Sequence, residues 1–151
     1  MLGAARHKRR RGTTTVEFAI TCPIVFFLIF ATAVGGIGVF RYQQVAAAAR
    51  EGARWASVHG GQYAEETDQP AATAADIYSN AILPAASALN PSQLSYQVTW
   101  DKSNMPLDPG QNYEQPTGNT VTVTVTYQWL PEMYLPGPIT LSSTSTAQMV
   151  Y

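Results

Sequence analysis

The chain has 151 residues, of which 46% are hydrophobic and 13% charged, and its formal net charge is −1. That length holds one domain, or one domain with an appendage, but its charge is split: residues 1–54 carry +6 and residues 55–151 carry −7. A single cysteine, Cys22, excludes an intramolecular disulfide framework and a cysteine-based zinc cluster, and two isolated histidines, His7 and His59, are too few for most transition-metal sites.

The first element is a basic leader, Arg6, Lys8, Arg9, Arg10 and Arg11, followed by 23 consecutive uncharged residues from Phe18 to Phe40. All five phenylalanines fall in that run, whereas nine of the ten prolines come after residue 69. As a helix the run spans about 34 Å, enough to cross a hydrocarbon core of roughly 30 Å. A buried core helix is normally shorter and amphipathic, and here apolar residues cover every face. The basic excess before the run, set against Arg41, Arg50 and Arg54 after it, predicts a cytoplasmic N-terminus and an extracytoplasmic remainder. The same basic run has the charge for nucleic acid, but beside an apolar helix it reads as a topology signal, and no nucleic-acid partner is expected. The competing reading is a secretory signal peptide cleaved after Ala31-Thr32-Ala33, releasing a secreted binding module. Against it, the apolar run continues through Val34 to Phe40, and Glu17 stands at its start.

At the junction, Thr14-Thr15-Val16-Glu17 fits a capping box, in which both end side chains satisfy free amides of a first helical turn. The same residues carry a resemblance. A basic leader ending at Gly12, a glutamate five residues later and a long apolar helix are similar to a type IV prepilin leader. With Arg10, Arg11, Val16, Phe18, Ala19 and Pro23, and with Arg50, Glu51, Gly52, Ala53 and Arg54 beyond the apolar run, the chain resembles the TadE-like family of Flp (tight adherence) pilus-assembly pseudopilins over about residues 9–58. The resemblance implies cleavage by a prepilin peptidase between Gly12 and Thr13, and pairing of Glu17 with the mature amine of a subunit. It also implies pilin-like subunits and Flp/Tad assembly proteins as partners, beside the lipid bilayer, in the bacterial inner membrane. One departure is that the family's leucine-rich span is here rich in Phe and Gly.

Within the span, Ala31 with Gly35, and Thr32 with Gly36, are four apart, a spacing that permits close approach of membrane helices. Pro23 is expected to bend or loosen the helix. From Arg41 to Val58 the alanine run 46–49 favours continued helix, with Tyr42, Val45, Ala49, Gly52 and Ala56 on one narrow stripe and Gln43, Ala47, Arg50, Arg54 and Ser57 on another face. The stripe either lies beneath the protein's own sheet or packs against neighbouring subunits. His59 reads as a helix-end residue that caps the last carbonyls, and Gly60-Gly61 as the stop.

Residues 62–70 read as a solvated acidic connection and Ala71–Leu83 as a short helix ending at Pro84. Strict alternation then predicts strands over Leu94–Trp100 and Val121–Trp129, with a weaker one over Ile139–Tyr151. One face of the antiparallel sheet carries Tyr96, Val98, Trp100, Val123, Val125, Tyr127 and Trp129 and needs a cover, for which the helix stripe is available. The fold class expected is α+β: a leader at 1–12, a transmembrane and stalk helix at 13–59, and a pilin-like head at 60–151 with a short helix and a three-stranded antiparallel sheet. No nucleophile elbow, phosphate loop, dinucleotide fingerprint or zinc-protease motif is present. The chain is therefore read as a structural protein, without enzymatic activity or cofactor.

Overall fold

A computed structural model of the protein describes residues 11–102, 104, 119–131 and 137–150, with side chains from Thr14 onward. The basic leader up to Arg10 lies outside the described residues. Helix α1 covers Arg11–Ser57, and Pro23 is accommodated inside it. Because α1 already begins at Arg11, Thr14 and Glu17 are interior helical residues, so the expected capping box at Thr14 is not formed. No acidic residue falls in the first turn, and Glu17 sits beyond the turn where the helix dipole acts strongly.

Contacts divide the chain into two units, Met1–Ile37 and Gly38–Tyr151. The second unit is an α+β head. Strands β1 (Leu94–Trp100), β2 (Thr120–Trp129) and β3 (Ile139–Gln148) form one antiparallel sheet in the order β1-β2-β3. The third strand is shorter than expected: Met149 and Val150 have left it, and Tyr151 lies outside the described residues. The amide of Val150 turns instead to the carbonyl of Ser57 at 2.9 Å, which ties the chain after β3 to the end of α1.

Register explains the two faces. Tyr96 lies opposite Val125, Val98 opposite Val123 and Trp100 opposite Val121, while Trp129 faces Ile139 and Tyr127 faces Leu141. Directly opposed residues share a face, so these side chains all point one way. In the central strand that face is buried at Val121, Val123, Val125, Tyr127 and Trp129, and full burial of such side chains contributes about 1.5–3 kcal/mol each. The edge strands are only half-buried on that face, and Tyr96 is exposed and stacked on Tyr78 with centroids 4.5 Å apart. The other face is hydroxyl-rich. Thr122 bonds Thr146 at 3.0 Å, Thr124 bonds Thr144 at 2.9 Å and Thr126 bonds Ser142 at 3.2 Å, a cross-strand ladder that satisfies polar groups without charge.

Three further segments depart from the sequence reading. Helix α2 (Gly61–Thr67) occupies the stretch expected as an acidic loop, and Gly60 and Gly61 are buried at its start. Helix α3 (Ala74–Ile77) begins three residues later than expected because Thr73 and Asp76 form a reciprocal capping box. The helical path then runs through a π-turn (Tyr78–Ile82) into α4 (Leu83–Ala85), so it does not end at Pro84. The wider turn lets the Leu83 amide reach the Tyr78 carbonyl. A π-turn relieves the ring clash and missing donor that a proline brings to an ordinary helix interior.

The hydrogen bonds from the Thr73 side chain and backbone hold the Asp76 carboxyl below its ordinary pKa. The folded form therefore favours the carboxylate, and this stabilisation is present above the ordinary carboxylate range and lost as pH falls through the lowered value. Asp76→Asn should accordingly be less stable than the wild type at neutral pH. Thermal unfolding repeated at falling pH should show that difference shrinking in the acid range.

Candidate functional site

The candidate site is the long helix itself, taken unit by unit. In the first unit the apolar side chains from Phe18 to Ile37 are almost all exposed, among them Phe18, Ile20, Ile24, Phe26, Phe27 and Leu28. Such a continuous apolar surface has no place in water and suits a hydrocarbon environment. By length and composition α1 can cross a membrane, and its most apolar window is entirely uncovered by the rest of the chain. Phe26 and Phe30 stack with centroids 6.2 Å apart, and the Thr32 hydroxyl donates to the Leu28 carbonyl at 2.8 Å, hiding a polar group against its own backbone. Ala31, Gly35 and Gly36 are exposed, and a Cβ added at Gly35 or Gly36 would meet nothing within 4 Å. Glu17 is exposed. Gly12 and Thr13 belong to the first turns of α1, but their side-chain surroundings lie outside the described residues.

The second unit holds the rest of α1 against the sheet. Val45, Ala49, Gly52 and Ala56 are buried, together with Ala46, Ala48, Ala53 and Ser57. The covered stripe is thus two rows wide. Tyr42 is not part of it, being 44% exposed, and Ser57, expected on another face, is buried. Helix side chains as small as alanine let the sheet's Val, Tyr and Trp side chains fill the space between the two layers, as close packing requires. Closest approach occurs at two glycines. A Cβ at Gly52 would stand 2.9 Å from Ile82 and 3.2 Å from Val123, and one at Gly38 would stand 2.7 Å from the Trp129 ring. Sequence reasoning missed Gly38 as a packing residue because it lies inside the apolar run and has no partner nearby in sequence.

Polar contacts mark the Gly38 end of this unit. The Arg41 guanidinium donates to the Tyr127 hydroxyl at 3.4 Å, which in turn donates to the Gln93 side-chain carbonyl at 3.0 Å. Its carbon also lies 6.0 Å from the centre of the Trp129 ring, at the edge of cation–π range. At the other end, His59 Nδ1 sits 2.9 Å from the Trp55 carbonyl while its ring stacks on Trp55, consistent with the helix-end role read from sequence. A separate shallow recess of about 610 Å³ is lined mainly by Pro70, Ala71, Thr73, Trp100 and Asn104. Among its described lining residues there is no carboxylate, and the Thr73 hydroxyl is taken up by the capping hydrogen bond to Asp76. Among the described residues, no group of His, Cys, Asp or Glu side chains is placed to hold a metal ion.

Residues 12–54 match the TadE-like protein family model. The TadE-like stretch begins at Gly12, contains the whole apolar run and ends within the buried stripe, at Arg54. No curated protein and no solved structure gives a significant match. An apolar helix of this kind with a TadE-like match is consistent with a membrane-anchored protein, and the family implies a pseudopilin-like protein related to the Tad pilus.

Gly52→Val separates the two environments of the TadE-like helix. It inserts branched carbons where even one Cβ is too close to Ile82 and Val123, and overpacking of this kind costs about 1–3 kcal/mol. Gly35→Ala and Gly36→Ala meet open space and should leave the unfolding temperature of the head unchanged. Thermal unfolding followed by tryptophan fluorescence checks both outcomes.

Proposed function

We propose that this chain is a membrane-anchored minor pseudopilin that acts structurally in assembling a Flp/Tad-type pilus or secretion apparatus. One observation carries the reading: a single helix with a TadE-like match supplies both an uncovered apolar span and the lid of an α+β head. A helix of that kind holds a folded head at a bilayer surface without further machinery. In this reading the N-terminus is cytoplasmic, the span crosses the inner membrane once and the head is extracytoplasmic, as the basic leader favours. TadE-like pilus-assembly proteins are structural, and the proposed action here is docking. Prepilin peptidase cleaves after Gly12, Glu17 pairs with the mature amine of a subunit, and Ala31, Gly35 and Gly36 offer the close-approach surface to neighbouring helices. A carboxylate near the edge of an apolar span is costly unless partnered or kept at the interface, and a new N-terminal amine is a partner of the right charge. Exposure of Glu17 and of the small residues leaves them available for such contacts.

The alternative, a secreted module released near Ala33, keeps the same core, because the covered stripe begins at Gly38. N-terminal sequencing of the mature protein therefore decides between them. Thr13 as first residue supports the pseudopilin, Val34 supports the secreted module, and an intact Met1 removes processing from the account. In the pseudopilin case, Glu17→Ala should lower pilus assembly at unchanged protein level. Normal assembly by that variant would remove the proposed role of the carboxylate.

A further inference from the structure

Two backbone hydrogen bonds fix which residues face outward along the two edges of the sheet. Among the described residues no strand lies beyond β1 or β3. The Asp101 amide donates to the Thr120 carbonyl, and the Met149 amide donates to the Asn119 carbonyl, each at 2.9 Å. Bonded pairs alternate with unbonded ones along an antiparallel ladder. With the observed register, Ser95, Gln97 and Thr99 therefore bond inward to β2, as do Ser143, Ser145 and Ala147. The backbone groups that face outward are those of Tyr96, Val98 and Trp100 on β1, and of Ser142, Thr144 and Thr146 on β3.

Neither edge carries the usual protection. Charged side chains, proline and bulges keep most edge strands from pairing with other chains. Leu94–Trp100 and Ile139–Gln148 contain no charged residue and no proline, and both registers run without a bulge. They are uncharged in a region, residues 55–151, that carries −7. Cover also thins toward the edges: Val98, Trp100 and Leu141 are half-buried and Tyr96 is 36% exposed, whereas the same face of β2 is buried. On that face the two edges differ in size. β1 is bulky at Tyr96, Val98 and Trp100, and β3 is small at Ser143, Ser145 and Ala147.

We propose that the β3 edge of one copy pairs in parallel with the β1 edge of a second copy, so that heads assemble side by side into one continued sheet. β1 and β3 run the same way, since both are antiparallel to β2. In a parallel ladder an outward residue bonds the two neighbours of the residue opposite it. With Thr144 opposite Gln97 of the second copy, the Thr144 amide reaches the Tyr96 carbonyl and the Val98 amide reaches the Thr144 carbonyl. That register sets Ser143, Ser145 and Ala147 beside Tyr96, Val98 and Trp100, small against large. It also sets Ser142, Thr144 and Thr146 beside Ser95, Gln97 and Thr99, which continues the cross-strand polar ladder. An antiparallel pairing of the same two edges fails, because bonded pairs share a face and the outward residues of β1 and β3 lie on opposite faces. A second copy is the occupant because its β1 edge matches β3 in bonding phase, in size and in lack of charge. The relation keeps every element of neighbouring copies in nearly the same direction, as subunits anchored in one bilayer need. Such a head-to-tail contact does not close after two copies. It rests on the head alone, and the membrane reading adds only the shared direction.

The test uses the full chain in vesicles of phosphatidylcholine and phosphatidylglycerol. Cys22 is the sole cysteine, so a Cys22→Ser background accepts single cysteines. Chains with Thr144→Cys and chains with Gln97→Cys, carrying tags of different size, are mixed and oxidised. Both positions are exposed, and directly opposed residues of neighbouring strands lie within disulfide reach. The expected yield of mixed disulfide is several-fold above that of Thr144→Cys mixed with Glu65→Cys, an exposed position away from the sheet. Adding Thr146→Pro removes an outward amide and no ladder bond to β2, so the mixed disulfide should fall several-fold with the head still folded. A mixed yield no higher than the Glu65→Cys control overturns the pairing. A disulfide formed mainly between two Thr144→Cys chains shows β3 meeting β3 and also overturns it, as does a yield that the proline leaves unmoved in a folded head. Release of the chain from the vesicles by alkaline carbonate brings down the anchor separately and leaves the cross-link to decide the pairing.

Discussion

The structure depends on how closely one helix backbone can approach one strand. Val121, Val123, Val125, Tyr127 and Trp129 project from β2 toward α1 and need space. The helix provides it by presenting alanines and Gly52 over two rows of its surface and Gly38 further along. Placing the bulk on the strand and the smallness on the helix satisfies close packing with little side-chain entropy lost on the helical side, since alanine and glycine have none to lose. The arrangement leaves the helix intolerant of added carbon at Gly38 and Gly52, while Gly35 and Gly36 meet open space.

That division suits a single helix to two surroundings, and its apolar half is long enough to cross a membrane. Before Gly38 the helix is apolar and largely uncovered on every side; from Val45 onward one face of it is small and covered. An apolar exterior is favourable in hydrocarbon, where no hydrophobic force drives it inward, whereas in water the same helix is covered on one face by the sheet. Arg41, the first charge beyond the span, also joins Tyr127 and Trp129 of the sheet, so charge placement and head packing meet at one residue. The outer face of the sheet needs no cover because its threonines and serines bond one another across the strands.

Much of this was legible in the sequence because it depends on local periodicity. Strict alternation gave Leu94–Trp100 at both boundaries and the second strand to within one residue, and opposed pairs such as Val98 and Val123 share the face assigned to them. The weaker pattern after Ile139 was overextended, because the chain beyond Gln148 leaves the ladder to bond Ser57. Pro84 misled as a stop, since a π-turn absorbs it, and Glu65, Glu66 and Asp68 masked the short helix α2. The alanine run signalled helix propensity but not burial, so a one-row stripe stood in for two rows, with Tyr42 wrongly included.

The sequence by itself determined the span, the charge asymmetry about it, the strand faces and the TadE-like character of residues 12–54, because each is carried by neighbours within one element. Only the tertiary structure decided which small residues of α1 touch the sheet, that Gly38 lies beneath Trp129 and that Gly52 lies against Val123. Those facts join residues some 70 to 90 positions apart. Alanine or glycine reads the same in sequence whether it faces lipid, water or a tryptophan, so only the packing partner distinguishes them.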